Sequence, residues 1–165
     1  TSIAYGIVQN FAHFVSFTDN NYNRFQVDYI DLKQLHTNAS YDKEVNNSIS
    51  LNINADYYKW DKDVYHKPNF TCIISTHVNL RNKIKVTPSL TYVGKRESIN
   101  YSVSELGLSQ ELSPHIHANL GMYYAYSKQL SAYLQLNNLT NSQQDIWSGY
   151  REVGFNCVFG LNYSF

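Results

Sequence analysis

Charge is scarce in this chain of 165 residues: charged side chains make up 16%, against about a quarter in ordinary soluble domains. Thirteen basic and thirteen acidic residues cancel, so the chain lacks the electrostatic footprint of a nucleic-acid partner. Cysteine is limited to Cys72 and Cys157, which form neither a CxxC pair nor a metal-binding spacing. Three prolines and seven glycines leave little to interrupt long regular segments. No run of 18 apolar residues occurs, which excludes a membrane-spanning helix. No signal peptide opens the chain, and Thr1 reads as a processed or cut start. Ser, His and Asp abound, but no nucleophile motif such as GxSxG surrounds them. The expectation is therefore a non-enzyme without cofactor.

What is present is alternation. From Val153 to Phe165 every odd position is apolar: Val153, Phe155, Cys157, Phe159, Leu161, Tyr163 and Phe165. The even positions are small or polar except Val158. A helix would scatter these apolar groups around its circumference, whereas a strand places them on one face. The same period recurs at Ile49–Tyr57, Phe70–Leu80, Ile84–Tyr92, Ile116–Tyr126 and Leu130–Leu136. It is looser over Ile3–Val15 and over Phe25–Tyr41, where a phase slip near Ile30–Lys33 reads as a β-bulge. Pro88, on an apolar row and unable to donate to a ladder, reads as a second bulge.

These segments predict about eight antiparallel strands in one domain over 1–165. The connections at 42–47, 81–83 and 127–129 are short; those at 16–24, 59–68, 94–115 and 138–152 are long. Short turns at one end and long loops at the other mark an outer-membrane barrel. Mean hydropathy is −0.42, which fits such a barrel as well as a soluble protein, because only alternate residues meet lipid. Charges gather in turns and loops, and Lys85 falls on the polar row. One face is thus too apolar for water, and the other, rich in Ser, Thr, Asn, His and Gln, is too polar for a packed core. Lipid outside and a polar lumen inside satisfy both. The fold expected is an all-β, up-and-down transmembrane β-barrel, complete in itself or the C-terminal part of a larger one. Tyr57, Tyr58 and Trp60 at the loop end, and Tyr124, Tyr126, Tyr163 and Phe165 at the turn end, fit interfacial girdles. Cys72 and Cys157 fall on apolar rows of separate strands and read as small lipid-facing groups.

Candidate chemistry is thin. His115 and His117, two apart on a strand, point the same way into the lumen. Without a third ligand they read as polar lumen residues, and no metal site is expected. Asp61, Asp63 and Asp145 read as solvated loop charges, since Ca²⁺ needs six or more oxygens.

The last hundred residues resemble the C-terminal barrel of Gram-negative TonB-dependent outer-membrane receptors. The resemblance is carried by Leu136, Asn137, Asn138, Leu139, Thr140 and Asn141, then Trp147, Gly149, Tyr150, Gly154 and the terminal Phe165. His66-Lys67-Pro68 before a strand and Gly94-Lys95-Arg96 after one fit the same pattern. The resemblance implies residence in the outer membrane and a part in solute uptake. It also implies that Leu161, Tyr163 and Phe165 serve as a signal for the barrel-assembly machinery. Partners implied are outer-membrane lipid and further strands or subunits of the same receptor. The family's plug and TonB-contacting segment have no counterpart in this sequence. A self-contained structural or adhesive barrel, and a soluble lipocalin-like binding barrel, are the competing readings.

Overall fold

A computed structural model describes residues 1–19, 22–101 and 108–165. Twelve strands are seen among them: β1 (Ser2–Asp19), β2 (Tyr22–Asn46), β3 (Ile49–Trp60), β4 (Phe70–Leu80), β5 (Ile84–Val93), β6 (Arg96–Asn100), β7 (Leu108–Leu112), β8 (His115–Ala125), β9 (Leu130–Asn137), β10 (Asp145–Trp147), β11 (Tyr150–Arg151) and β12 (Asn156–Tyr163). Ten form one sheet in the order β12-β9-β8-β5-β4-β3-β2-β1-β6-β7. Eight of these are the long strands of an antiparallel meander, and β6–β7 and β10–β11 are small hairpins within the loops. The sheet is open: β12 lies at one end of the order, and β1 meets β6 only at Ser16–Asn100.

The alternation decides the faces. Phe159 and Leu161 of β12 are 81% and 76% exposed, and Ile3, Tyr5 and Ile7 of β1 are nearly as open. The facing rows are polar and bond to one another across strands. Asn38 Nδ2 donates to Asn54 Oδ1 and to Asp56 Oδ1, each at 3.0 Å, and His36 Nε2 lies 2.8 Å from Asp56 Oδ1. Asn137 Nδ2 donates to Asn156 Oδ1 at 2.9 Å on the β9–β12 pair. Lys85 belongs to the polar face, as its place between Ile84 and Val86 requires.

Several sequence expectations need correction. Most of the stretch 16–24 is strand, since β1 and β2 run on as a paired ladder to Asp19–Tyr22; the turn expected at 20–21 lies outside the described residues. β3 stops pairing at Trp60–Gln34. The twelve residues 22–33 therefore carry the β1–β2 hairpin beyond β3 by roughly 40 Å. The bulge near Ile30–Lys33 exists, but the extra residue is on β1: the register shifts between Val8 and Phe11. Asn10 takes φ 53° there and its N–H donates to Asp31 Oδ1 at 2.8 Å. Pro88 makes no bulge. The β5–β8 register is continuous through Pro88–Leu120, while the β4–β5 ladder lapses between Ser75–Ser89 and Val78–Val86 without shifting. The strand tolerates proline by giving up bonds toward β4 alone. Tyr58 and Trp60 do not join an outer girdle. Parity puts them on the polar face, where Trp60 stacks on Tyr58 and Tyr58 on His36 (centroids 5.6 and 4.3 Å).

The buried apolar side chains among the described residues are few: Val15, Leu32, Val64, Ile99 and Leu112. They come from β1, β2, β6, β7 and the β3–β4 loop, so the packed core sits at the loop end and not between two sheet layers. The free cysteines lie on β4 and β12, with three strands between them.

An outward arginine should be penalised and an inward one tolerated. Phe159→Arg is expected to cost about 2–4 kcal/mol if that position lies near the bilayer midplane. Asn162→Arg, on the other face of the same strand, is expected to cost far less. Denaturant unfolding of the barrel in lipid vesicles measures both.

Candidate functional site

At the loop end four connections converge. Residues 64–66 lie against β1 and β6, with His66 N–H donating to the Glu97 carbonyl at 2.6 Å. Ser16 Oγ donates to the Ile99 carbonyl at 2.7 Å and Tyr101 N–H to the Ser16 carbonyl at 3.0 Å, fastening β6 to β1. The β10–β11 hairpin, turned at Gly149 (φ 78°), brings Trp147 onto the same spot. Trp147 then meets Phe14 edge-on at 5.0 Å, Phe25 at 5.2 Å and the His66 ring at 4.8 Å.

His66 is the centre of this clasp. Its Nδ1–H donates to the Phe14 carbonyl at 3.0 Å, so its Nε2 is left to accept from Ser148 N–H at 3.5 Å. Both ring nitrogens are used by the neutral tautomer. Burial lowers the His66 pKa below its ordinary 6.5, outweighing the Phe14 bond, and the Arg96 charge lowers it further.

Arg96, 5% exposed, spans the gap between β6 and the β10–β11 hairpin. Its two Nη atoms donate to the Ile146 and Asp145 carbonyls, each at 3.0 Å, and Nη2 lies 3.3 Å from His115 Nδ1. Burial pulls its pKa down, while the Glu152 and Asp145 carboxylates act the other way. His115 and His117 share one face, as their spacing requires, with centroids 4.5 Å apart. Glu152 approaches them, its Oε2 3.2 Å from His117 Nε2. Sequence reasoning missed this carboxylate, because nothing at 152 signals a return to a strand that begins at His115.

A cleft of about 230 Å³ opens beside the clasp. Lys59, Lys62, Lys67 and Lys95 line it with Tyr58 and Trp60, against the two carboxylates Asp63 and Glu97. Asp61 serves structure: its Oδ1 accepts the Lys33 N–H at 2.7 Å. Asp145 does likewise, accepting Gly149 N–H at 3.3 Å in its hairpin.

The Asn-rich segment after β9 shapes the last loop. Asn138 is 4% exposed and left-handed, at φ 52°. Its Nδ2 donates to the Ser142 and Val153 carbonyls at 2.7 and 3.0 Å, and its Oδ1 accepts Ser142 N–H at 3.1 Å. Thr140 Oγ1 donates to the Ile116 carbonyl at 2.8 Å, and Leu139 N–H to that of Ala118 at 2.7 Å, which sews the loop to β8. Asn141, at φ 50°, accepts Phe155 N–H at 3.0 Å. A Cβ on Gly154 would lie 2.5 Å from this Oδ1, so any larger residue there would have to displace the Asn141 amide. Trp147 and Tyr150 belong to the aromatic clasp, Tyr150 lying 5.3 Å from Phe25. Leu161, Tyr163 and Phe165 form an exposed outward row at the turn end, the last two rings 5.2 Å apart.

No family model matches the chain, and no curated protein matches it in sequence. Solved structures do match its fold. The pyoverdine outer-membrane receptor FpvA of Pseudomonas aeruginosa superposes with a TM-score of 0.72 at 16% identity, over 99% of this chain and 27% of that one. The siderophore receptor PirA of Acinetobacter baumannii gives 0.69 at 17% identity, over 99% and 28%. The copper transporter OprC gives 0.70 at 10% identity, over 98% and 28%. The chain spans about a quarter of the length of these proteins. Its fold is that of a stretch of outer-membrane receptor barrel, which agrees with the resemblance read over the last hundred residues.

Removing the Asn138 amide leaves two carbonyls without a donor, at about 1–3 kcal/mol for each that stays buried. Asn138→Gly keeps the left-handed backbone but not the bonds, so it is expected to lose nearly as much stability as Asn138→Ala. Equal loss in denaturant unfolding supports the bonding role; full retention by glycine would assign the position to backbone conformation alone. For His66, a lowered folded pKa means that the clasp is stabilised above about 6.5 and weakens as pH falls through the lower folded value. Limited proteolysis between residues 61 and 69 is expected to accelerate from neutral pH toward pH about 5, and His66→Gln to lose that dependence.

Proposed function

We propose that this chain is the C-terminal part of the barrel of a TonB-dependent type of outer-membrane receptor, set in the outer membrane of a Gram-negative cell and engaged in solute uptake. The observation that carries this reading is the open sheet: eight long strands with lipid-compatible outer rows, whose end strands β1 and β12 do not pair with each other. An unpaired strand edge in hydrocarbon leaves backbone N–H and C=O groups without partners, each costing several kcal/mol, so further strands must complete the wall. The outward row Leu161, Tyr163 and Phe165 is suited to recognition by the barrel-assembly machinery. The soluble lipocalin-like alternative is disfavoured by the exposure of Phe159, Leu161 and Ile3, which water would penalise.

The solute class follows from the cleft. With Lys95 paired to Glu111 at 3.0 Å, Lys59, Lys62 and Lys67 stand against Asp63 and Glu97, and with Tyr58 and Trp60 beside them they favour an anionic ligand with aromatic or other planar groups. The siderophore and copper receptors of like fold make an anionic metal chelate the natural candidate.

The mass and heat-modifiability of the native polypeptide in purified outer membrane test the receptor reading. A heat-shifting chain several times larger than 19.1 kDa is expected. A heat-shifting species of about this mass would replace the reading with a self-contained structural barrel. Recovery in the soluble fraction would overturn both.

A further inference from the structure

His115 and His117 present two imidazoles on one face of β8, and the fold supplies a third donor from the far side of the last loop. One donor atom from each of His115, His117 and Glu152 lies within 4.8 Å of the other two. Ligands held about 2.0–2.2 Å from a tetrahedral ion stand roughly 3.3–3.6 Å apart, so side-chain shifts of about 1 Å close the trio on one ion. The 3.2 Å approach of Glu152 Oε2 to His117 Nε2 is slightly shorter than that spacing. The oxygen sits at ion-pair distance but outside hydrogen-bond geometry, and among the described residues it is buried without a hydrogen-bond partner, as is His117 Nδ1. His115 Nδ1 faces Arg96 Nη2 at 3.3 Å, so Nε2 is the atom His115 offers to an ion.

We propose that His115, His117 and Glu152 bind a single borderline divalent transition ion of the zinc, nickel or copper(II) kind. Two imidazoles and one carboxylate suit such ions, whereas Mg²⁺ and Ca²⁺ take all-oxygen shells. Three protein ligands leave a coordination position open for water or for a donor atom of a passing solute. Arg96 is the opposing charge. Its Nη2 lies 3.3 Å from His115 Nδ1, and the Ile146 and Asp145 carbonyls hold the guanidinium in place. It therefore tempers the affinity, with Glu152 and Asp145 offsetting part of its charge. The site depends on the fold alone and stands whether or not the chain takes part in uptake.

The test is a zinc titration of the full native polypeptide in detergent micelles near neutral pH, with a chromophoric chelator as competitor. Cobalt(II) substitution then gives the visible spectrum of the bound ion. One equivalent of zinc and a tetrahedral cobalt band are expected. His117→Gln and Glu152→Gln are each expected to weaken binding about tenfold or more, and Arg96→Gln to tighten it. The heat shift on a gel shows that each variant is folded. Absence of stoichiometric zinc on the native chain overturns the site. So does native affinity in folded His117→Gln and Glu152→Gln variants. If a variant does not fold, the native cobalt spectrum decides, and a purely six-coordinate, all-oxygen spectrum overturns the site.

Discussion

The constraint on which this structure depends is the satisfaction of backbone hydrogen bonds without water. In hydrocarbon a strand can meet that demand only through its neighbours. The meander provides it strand by strand: β2 pairs β3, β3 pairs β4, and so on to β12. With the ladders consuming the backbone, only side-chain alternation remains to tell lipid from lumen. That is why the outward rows are apolar almost without break, while the inward rows bond in short polar runs such as His36, Asn38, Asn54 and Asp56. Pro88 shows how local the demand is. One side of β5 loses ladder bonds to β4, and the side facing β8 keeps its register.

A wall of this kind has no interior of its own, so its hydrophobic core must form elsewhere. It forms among the loops. Val15, Leu32, Val64, Ile99 and Leu112 pack where the β1–β2 hairpin, the β3–β4 loop and the β6–β7 hairpin meet. His66 ties that packing to the last loop through the Phe14 carbonyl, Ser148 N–H and the Trp147 ring. Arg96 adds a second tie through the carbonyls of β10. The same convergence leaves the lysine-lined cleft and the His115–His117–Glu152 trio side by side at the mouth. Packing and chemistry share this end because it is where connections are long enough to carry either.

Much of the fold was legible in the chain, and the reason is period. Alternation over Ile49–Tyr57, Phe70–Leu80 and Val153–Phe165 specifies strand, face and solvent together, because a strand repeats every two residues and one face had to be apolar. The alternation of turn and loop lengths then gave the direction of the meander. Polar turn chemistry at 16–24 misled in its extent, since Asp19 and Asn23 lie on paired strands of a hairpin that projects beyond β3. Tyr58 and Trp60 misled in another way: aromatic type suggested a girdle, but parity, which was also readable, puts them inside.

The sequence by itself determined the strand pattern, the lipid-facing and lumen-facing rows, the pairing of His115 with His117 on one face and the absence of a Cys72–Cys157 bridge. These follow from local geometry, which repeats along a strand and needs no knowledge of neighbours. Only the tertiary structure decided that Glu152 meets the two histidines, that Arg96 reaches the β10 carbonyls, that Asn138 fastens the last loop, and that β1 and β12 leave the sheet open. Each of those depends on contacts between segments far apart in the chain, where loop closure and side-chain packing choose the partner and no periodicity announces it.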